Sequence, residues 1–468
     1  MDRTETCSEG TEQCDKPPSC SVLNRTNSNK YSTINGQPRL KNCTHWNDWK
    51  WQMANRICNL EQLLDYFPKL KNQTVLAEVI EKYPLAITPY YASLIRRPDT
   101  LDPVFAMCVP QVDELYSPSC LSADPLAENA DMPVPGLVHR YPDRSLLIVT
   151  STCASYCRHC TRKRVAGIRE CSISTKRFQQ MTAYLLAHPE ISDVIVSGGD
   201  PLIMSTDVLE ALLNRLRKIP SVHIIRIGTR TPVVLPQRIT DKLTSMLSKY
   251  HPLWINTHFN HPNELTDEAA RACSRLVDAG IPLGNQSVLL RGINDNPQTI
   301  EKLCRGLIQM RVRPYYLFQC DLVEGVEHFR TPLSRGIEIM EYLRGRVSGL
   351  AIPAFVVDAP HGGGKIPILP NYVVSTSPTH TVLRNYDGVI VNYPEPLFGT
   401  DLDESPKKSE SSVGVWELDS GKASAILPLK TSGQLRRRQR ITEVKNHNLN
   451  KDVELCDEKE TASSGSLS

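Results

Sequence analysis

Three cysteines, Cys153, Cys157 and Cys160, share the run Cys-Ala-Ser-Tyr-Cys-Arg-His-Cys. Thiols separated by three and then two residues can converge from one loop onto one face of an iron–sulfur cube. Ferredoxin-type carriers close such a cube with four cysteines, so a set of three leaves one iron open to an exogenous ligand. The competing reading is a zinc knuckle, which needs a fourth Cys or His from a partner pair. Cys171 is the nearest candidate, and a lone thiol eleven residues on matches that role poorly.

A second stretch, Asp358-Ala-Pro-His-Gly-Gly-Gly-Lys365, could also do chemistry. It is not a phosphate-cradling Walker loop, because Ala359 stands where the first glycine belongs and no Ser or Thr follows Lys365. Nor is it a lipase oxyanion loop, since the chain has no Gly-x-Ser-x-Gly elbow. What remains is a flexible glycine hinge presenting Lys365, suited to a Schiff base with pyridoxal phosphate. Asp321 and Asp358 add a charge argument. Two carboxylates facing one cavity raise each other's pKa unless a cation sits between them. Each contact with that cation is worth roughly 4 kcal/mol at about 4 Å and an effective dielectric near 20, before desolvation is subtracted.

These residues need elements to hold them. From Leu146 onward, strand-like runs alternate with amphipathic helical runs: strands at 146–149, 193–196, 222–227, 254–256, 283–289, 313–318 and 354–357, with helices near 175–187, 206–218, 238–249, 266–279, 298–310 and 333–347. Leu209, Leu212, Leu213 and Leu216 fall on one face of the second helix, and Gly280 closes the fourth. Six strand–helix units and a seventh strand predict an α/β fold with a parallel sheet. Cys153, Gly198 to Asp200, Arg230, His258, Asp321 and Asp358 all follow the C-terminal end of a strand, with Gln286 within or late in one. In a barrel those ends share one mouth, so the expectation is a partial (β/α)6 TIM-like barrel over residues 136–375. Residues 41–135 read as an N-terminal helical region followed by a Pro-rich, aperiodic connector from Pro98 to Pro135. Residues 376–430 read as a C-terminal appendage with short strands at 389–391 and 413–416. Residues 1–40 and 431–468 read as disordered tails.

Bulk properties set the limits. The 468 residues carry 54 basic against 51 acidic side chains, a net charge of +3 that gives no general drive toward nucleic acid or membrane. The basic stretch Gln434 to Arg440 lacks interleaved aromatics and reads as solvated tail. No run of about eighteen apolar residues and no signal-like N-terminus occurs. Fifteen cysteines without paired spacing fit a reducing cytoplasm better than a disulfide framework.

The cysteine run resembles that of radical S-adenosylmethionine enzymes. With Lys365, the chain resembles the lysine 2,3-aminomutase family from about Trp46 to about Pro396. The carrying stretches are Trp46 to Gln52, His139 to Arg144, Cys157 to Arg164, Gly284 to Leu290, Pro314 to Tyr316, Cys320 to Leu322, His328 to Thr331 and the glycine–lysine loop. The resemblance implies a radical 1,2-shift of an amino group, using a [4Fe-4S] cluster on Cys153, Cys157 and Cys160, S-adenosylmethionine and pyridoxal phosphate on Lys365. It places Arg140 and Arg144 at the coenzyme phosphate, and Arg162 at the substrate carboxylate. His159, His258 and Gln286 fall at S-adenosylmethionine, and Asp321 and Asp358 at a distal ammonium. The substrate it implies is a free cationic amino acid, lysine first. Arginine, whose guanidinium also pairs with carboxylates, a lysine residue of a protein, and a non-catalytic iron–sulfur or zinc module are the alternatives. An electron donor such as a flavodoxin or ferredoxin is expected, and association of copies through the N-terminal helices stays open. Some members bind zinc between subunits through a Cys after the Asn-Asp pair and a C-terminal cysteine cluster. Here Asn296 and a single Cys456 stand there, so no zinc is expected.

Overall fold

The computed structural model describes residues 31–34, 37–40, 44–68, 70, 73–376 and 380–394. Nine strands run through one sheet in unbroken chain order: β1 (Leu137–Tyr141), β2 (Arg144–Thr150), β3 (Asp193–Gly198), β4 (Ile224–Gly228), β5 (Leu253–Thr257), β6 (Leu283–Leu289), β7 (Arg313–Gln319), β8 (Ala354–Ala359) and β9 (Gly364–Pro367). Strands β2 to β8 are parallel, and β1 and β9 close the two edges antiparallel to their neighbours. The helices between them are α1 (Thr175–Ala187), α2 (Thr206–Arg217), α3 (Asp241–Leu247), α4 (Asp267–Asp278), α5 (Pro297–Gln309) and α6 (Leu333–Leu343). The expected alternation of six units and a seventh parallel strand is therefore present, as a nearly closed α/β barrel. The seam is bridged where the Lys365 backbone N–H donates to the Tyr141 hydroxyl at 3.0 Å.

Sequence accounts for the helix starts. Ser174, Ser205, Thr240 and Thr266 each accept a backbone N–H three residues on, and Asn296 caps Pro297 at the head of α5. The apolar face of α2 is fully used: Leu209, Leu212, Leu213 and Leu216 are buried, at about 2 kcal/mol each. On the strands the two-residue period divides the labour. Val194, Val196, Ile225, Ile227 and Ile255 are buried in the core with the helices. Their neighbours Ile195, Ser197, Arg226, Gly228 and Asn256 line an internal cavity. The lumen is thus polar enough to hold ligands instead of being filled by apolar side chains.

Several expectations meet a different local structure. Of residues 1–40, read from the sequence as disordered, Tyr31–Ile34 and Gln37–Leu40 pair as an antiparallel hairpin. Short helices Trp49–Ala54, Leu60–Tyr66, Gln73–Lys82 and Pro89–Ala92 form the expected N-terminal helical region. The Pro-rich connector contains a further helix, Pro103–Cys108, capped by Asp102 and buried through Val104, Phe105 and Met107. Pro103 there starts a helix instead of breaking one, since its fixed φ suits the first helical position. The glycine hinge is a turn between paired strands: His361, Gly362 and Gly364 adopt positive φ, and β9 folds back so that Lys365 lies opposite Asp358. Among the described cysteines nine are free, and Cys58, which is disulfide-bonded, is the departure from the expected thiols.

Among the described residues, those up to Asn371, with Tyr386–Gly388, form one compact unit, and those of Tyr372–Asn385 and 389–394 form a second. The described part of the second holds strands at Val373–Thr376, His380–Arg384 and Ile390–Pro394 in one antiparallel sheet. The strand expected at 413–416, the basic run 434–440 and the C-terminal tail lie outside the described residues. Among the described residues no helix is long and apolar enough to cross a membrane.

Candidate functional site

The cysteine loop leaves the end of β2 and is gripped along its length. The Arg56 guanidinium donates to the Cys153 carbonyl at 2.7 Å and pairs with Glu170 at 2.9 Å. Glu114, fully buried, holds both Arg158 at 2.7 Å and Lys163 at 2.8 Å, on either side of His159 to Arg162. At Cys157, Arg230 Nη1 donates to the thiol sulfur at 2.6 Å. Beneath the loop, the Gly199 N–H donates to Thr150 O at 2.6 Å, and a Cβ on Gly199 would stand 2.2 Å from Thr152 O. Only glycine lets the end of β3 approach so closely.

The loop suits an iron–sulfur cluster. Burial, Asp200 and the neighbouring thiols push the Cys153 thiol up, and burial with Cys157 does the same to Cys160. The three thiols are partly buried and border one cavity, where iron could reach them. Among the described residues no three His, Cys, Asp or Glu side chains converge on a point as one ion requires. Three corners of a cube stand apart and need no such convergence. His159 Nδ1 is buried without a partner, a polar atom left for a ligand. Burial, followed by Arg230, holds the His159 imidazole well below its usual range, and the same two causes lower His258 to about 4. Both rings are therefore neutral near pH 7. His258 Nδ1 lies 3.1 Å from the Gln286 carbonyl.

One cavity of about 710 Å³ is lined by all twelve candidate residues: the three cysteines, His159, His258, Gln286, Arg140, Arg144, Arg162, Asp321, Asp358 and Lys365. Lys365 Nζ lies on Asp358 at 2.8 and 2.9 Å and 4.7 Å from the centre of the Phe318 ring. Asp321 accepts from the Thr161 hydroxyl at 2.8 Å. Burial and then the charge of Asp358 raise the Asp321 carboxyl to about 6. The sequence led to the expectation of such repulsion at the pair; the structure has it acting on Asp321, with Lys365 as the cation that offsets it.

The arginines differ from one another. Arg162 presents Nε and Nη2 to Glu128, the closest contact being 2.7 Å, which leaves Nη1 as its edge for a ligand. Arg140 spends its guanidinium on Asp131 at 2.9 Å and on the Leu126 carbonyl, although it borders the cavity. Arg144 stacks on the Tyr141 ring at 4.1 Å and keeps 38% of its side chain exposed, so it is the better placed of the two to meet a phosphate. Glu128, Thr161, Tyr141 and Arg230 are the site residues whose roles the sequence does not announce. Arg230 has a signal in its place at a strand end, whereas Glu128 sits in the aperiodic connector with none.

Known proteins match this architecture along most of the chain. A family model described as the radical SAM superfamily matches residues 147–304, and one described as lysine-2,3-aminomutase matches residues 340–457. The L-lysine 2,3-aminomutase of Clostridium subterminale is 52% identical over 389 residues, covering 82% of this chain and 94% of that protein. The L-lysine 2,3-aminomutase of Acetoanaerobium sticklandii is 51% identical over 388 residues, with the same coverage of 82% and 94%. The glutamate 2,3-aminomutase of Clostridioides difficile is 45% identical over 347 residues, covering 74% of this chain and 82% of that protein.

Proposed function

Because the chain belongs to the lysine 2,3-aminomutase family of radical S-adenosylmethionine isomerases, we propose that it moves the α-amino group of free L-lysine to the β-carbon, with pyridoxal phosphate held at Lys365. The observation that carries the choice of substrate is the carboxylate pair Asp321 and Asp358, set in the same cavity as the three thiols and already attracting an ammonium. A glutamate substrate would place a carboxylate against that pair, and like charges at such a distance repel by several kcal/mol.

When bound, the cluster with S-adenosylmethionine supplies radical hydrogen abstraction, and pyridoxal phosphate supplies a ring that spreads an unpaired electron. The chain's residues supply position. Asp321 and Asp358 take the distal ammonium, and Nη1 of Arg162 takes the carboxylate, so the two ends fix the β-carbon between them. Glu128 holds Arg162 in that orientation through the opposite edge of its fork. Neutral His159 and His258 offer nitrogen atoms without adding charge beside the cluster. A one-electron donor of flavodoxin or ferredoxin type and a reducing cytoplasm belong to the same proposal.

Anaerobic incubation of reconstituted enzyme with lysine, arginine and glutamate, followed by mass analysis of products and of deoxyadenosine, tests it. β-Lysine as the main product supports the proposal. Faster turnover of glutamate, or of arginine, overturns the substrate assignment.

A further inference from the structure

Arg230 stands at the end of β4, buried, and reaches the cysteine loop from below. Its Nη1 donates to Cys157 Sγ at 2.6 Å, and its Nη2 contacts the Glu264 carboxylate and the Tyr91 hydroxyl, both at 2.8 Å. Tyr91 in turn donates to Glu264 at 2.7 Å. The backbone N–H of Arg230 donates to Asp200 at 2.8 Å, which fixes where the side chain starts. Glu264 is itself anchored, accepting the backbone N–H groups of Asn260 and His261. A cation is thus fixed against one cysteine sulfur, and its counterion is fixed behind it.

We propose that Arg230 is a positioning and tuning residue for the iron–sulfur cluster: its guanidinium on Cys157 raises the cluster's reduction potential, and Glu264 behind it moderates the effect. The proposal rests on Cys157 being a cluster ligand. A cluster gains one negative charge when it accepts an electron from an external reductant such as dithionite, with no bond made or broken in the protein. A nearby cation and an N–H···S bond stabilise the more negative, reduced form, and hydrogen bonds to sulfur and local charge are recognised determinants of cluster potential. Removing the Glu264 charge leaves Arg230 uncompensated and acts in the opposite sense. Tyr91 belongs to the N-terminal helix Pro89–Ala92, so a segment outside the barrel takes part in this relay.

The test is a dithionite-poised potentiometric titration of reconstituted full-length protein, followed by electron paramagnetic resonance without substrate, with iron and sulfide counted in each variant. Arg230→Gln is expected to shift the midpoint to more negative values and Arg230→Lys to restore most of it. Glu264→Gln, which keeps the shape of the side chain, is expected to shift it to more positive values. Opposite signs cannot come from a loosened loop, which would lower iron content in both variants alike. Unchanged midpoints in fully loaded R230Q and E264Q, or shifts of the same sign, overturn the inference. Should the Arg230 variant fail to hold iron, E264Q decides by itself. If a Cys157→Ala variant keeps a full cluster, the ligand assignment fails instead, and that outcome is separable from the others by its iron count.

Discussion

Replacing Asp321 by Asn keeps the volume and the acceptor for Thr161 but removes one charge from the cation subsite. The gross attraction between a carboxylate and an ammonium at about 4 Å is roughly 4 kcal/mol at an effective dielectric near 20. Desolvation subtracts from it, and hydrogen bonds to charged groups contribute about 1.5–3 kcal/mol net. The kcat/KM for lysine should therefore fall roughly 10- to 150-fold in D321N, since each 1.4 kcal/mol is a factor of ten. The same charge predicts a pH dependence. Burial and Asp358 raise the Asp321 carboxyl to about 6, so below that pH the free enzyme carries a neutral acid that attracts no ammonium. Wild-type kcat/KM for lysine should thus decline as pH falls through about 6, and D321N should lose that limb. Anaerobic initial rates of β-lysine formation between pH 5 and 8 measure both effects. As a control, 2-aminohexanoate, which keeps the chain and the α-amino group and lacks the distal ammonium, should bind both enzymes alike. A flat wild-type profile, or an equal loss for the control, would refute the reasoning.

Lys365→Ala should abolish the borohydride-trapped coenzyme adduct, read by intact-protein mass, while leaving iron content near wild type; an adduct in the variant would place the coenzyme on another amine. Gly199→Ala puts a Cβ 2.2 Å from Thr152 O and should reduce the iron retained after reconstitution; full loading would show that the loop can yield. Burial raises the Glu128 carboxyl, but Arg162 and Arg164 outweigh it and hold it near about 2. Its folded pKa lies below the ordinary value of about 4.3, so this stabilisation is present above that pH and is lost as pH falls toward about 2; a little over two units corresponds to about 3 kcal/mol. Glu128→Gln should therefore lower the thermal midpoint at pH 7 and raise KM for lysine through the released Arg162, and an unchanged midpoint would remove the ion pair from the account.

The barrel is legible because its grammar is local. Period-two strands and amphipathic helices alternate six times, five of the helices start at a capping side chain, Gly280 closes one of them, and each signal sits within a few residues of the next. The mouth follows from the same grammar, which is why Cys153, Asp321 and Asp358 can be assigned to one cavity before any coordinates exist. Edge strands β1 and β9 are harder to read, since β1 is preceded by the aperiodic connector and the four residues of β9 follow a glycine run that suggests looseness. Least legible are the residues that arrive from far along the chain. Glu114 and Arg158 are separated by 44 positions, Arg56 and Glu170 by 114, and Tyr91 and Arg230 by 139. Contacts of that span leave no periodicity, and a glutamate in a proline-rich stretch reads as solvated until a buried guanidinium is found against it.

The contact between Lys365 and Asp358 sets one of the chain's own amines as a rival for the acidic subsite. As long as that amine rests on the carboxylate, an incoming lysine must compete with a tethered copy of its own head group, at the high local concentration that tethering gives. A coenzyme that draws the amine away strips the acidic pair of its counterion and leaves it avid for another. Loading and substrate capture are then ordered events: cationic amino acids should bind the coenzyme-charged protein far more tightly than the uncharged one, and in excess they should not block the charging step so much as follow it.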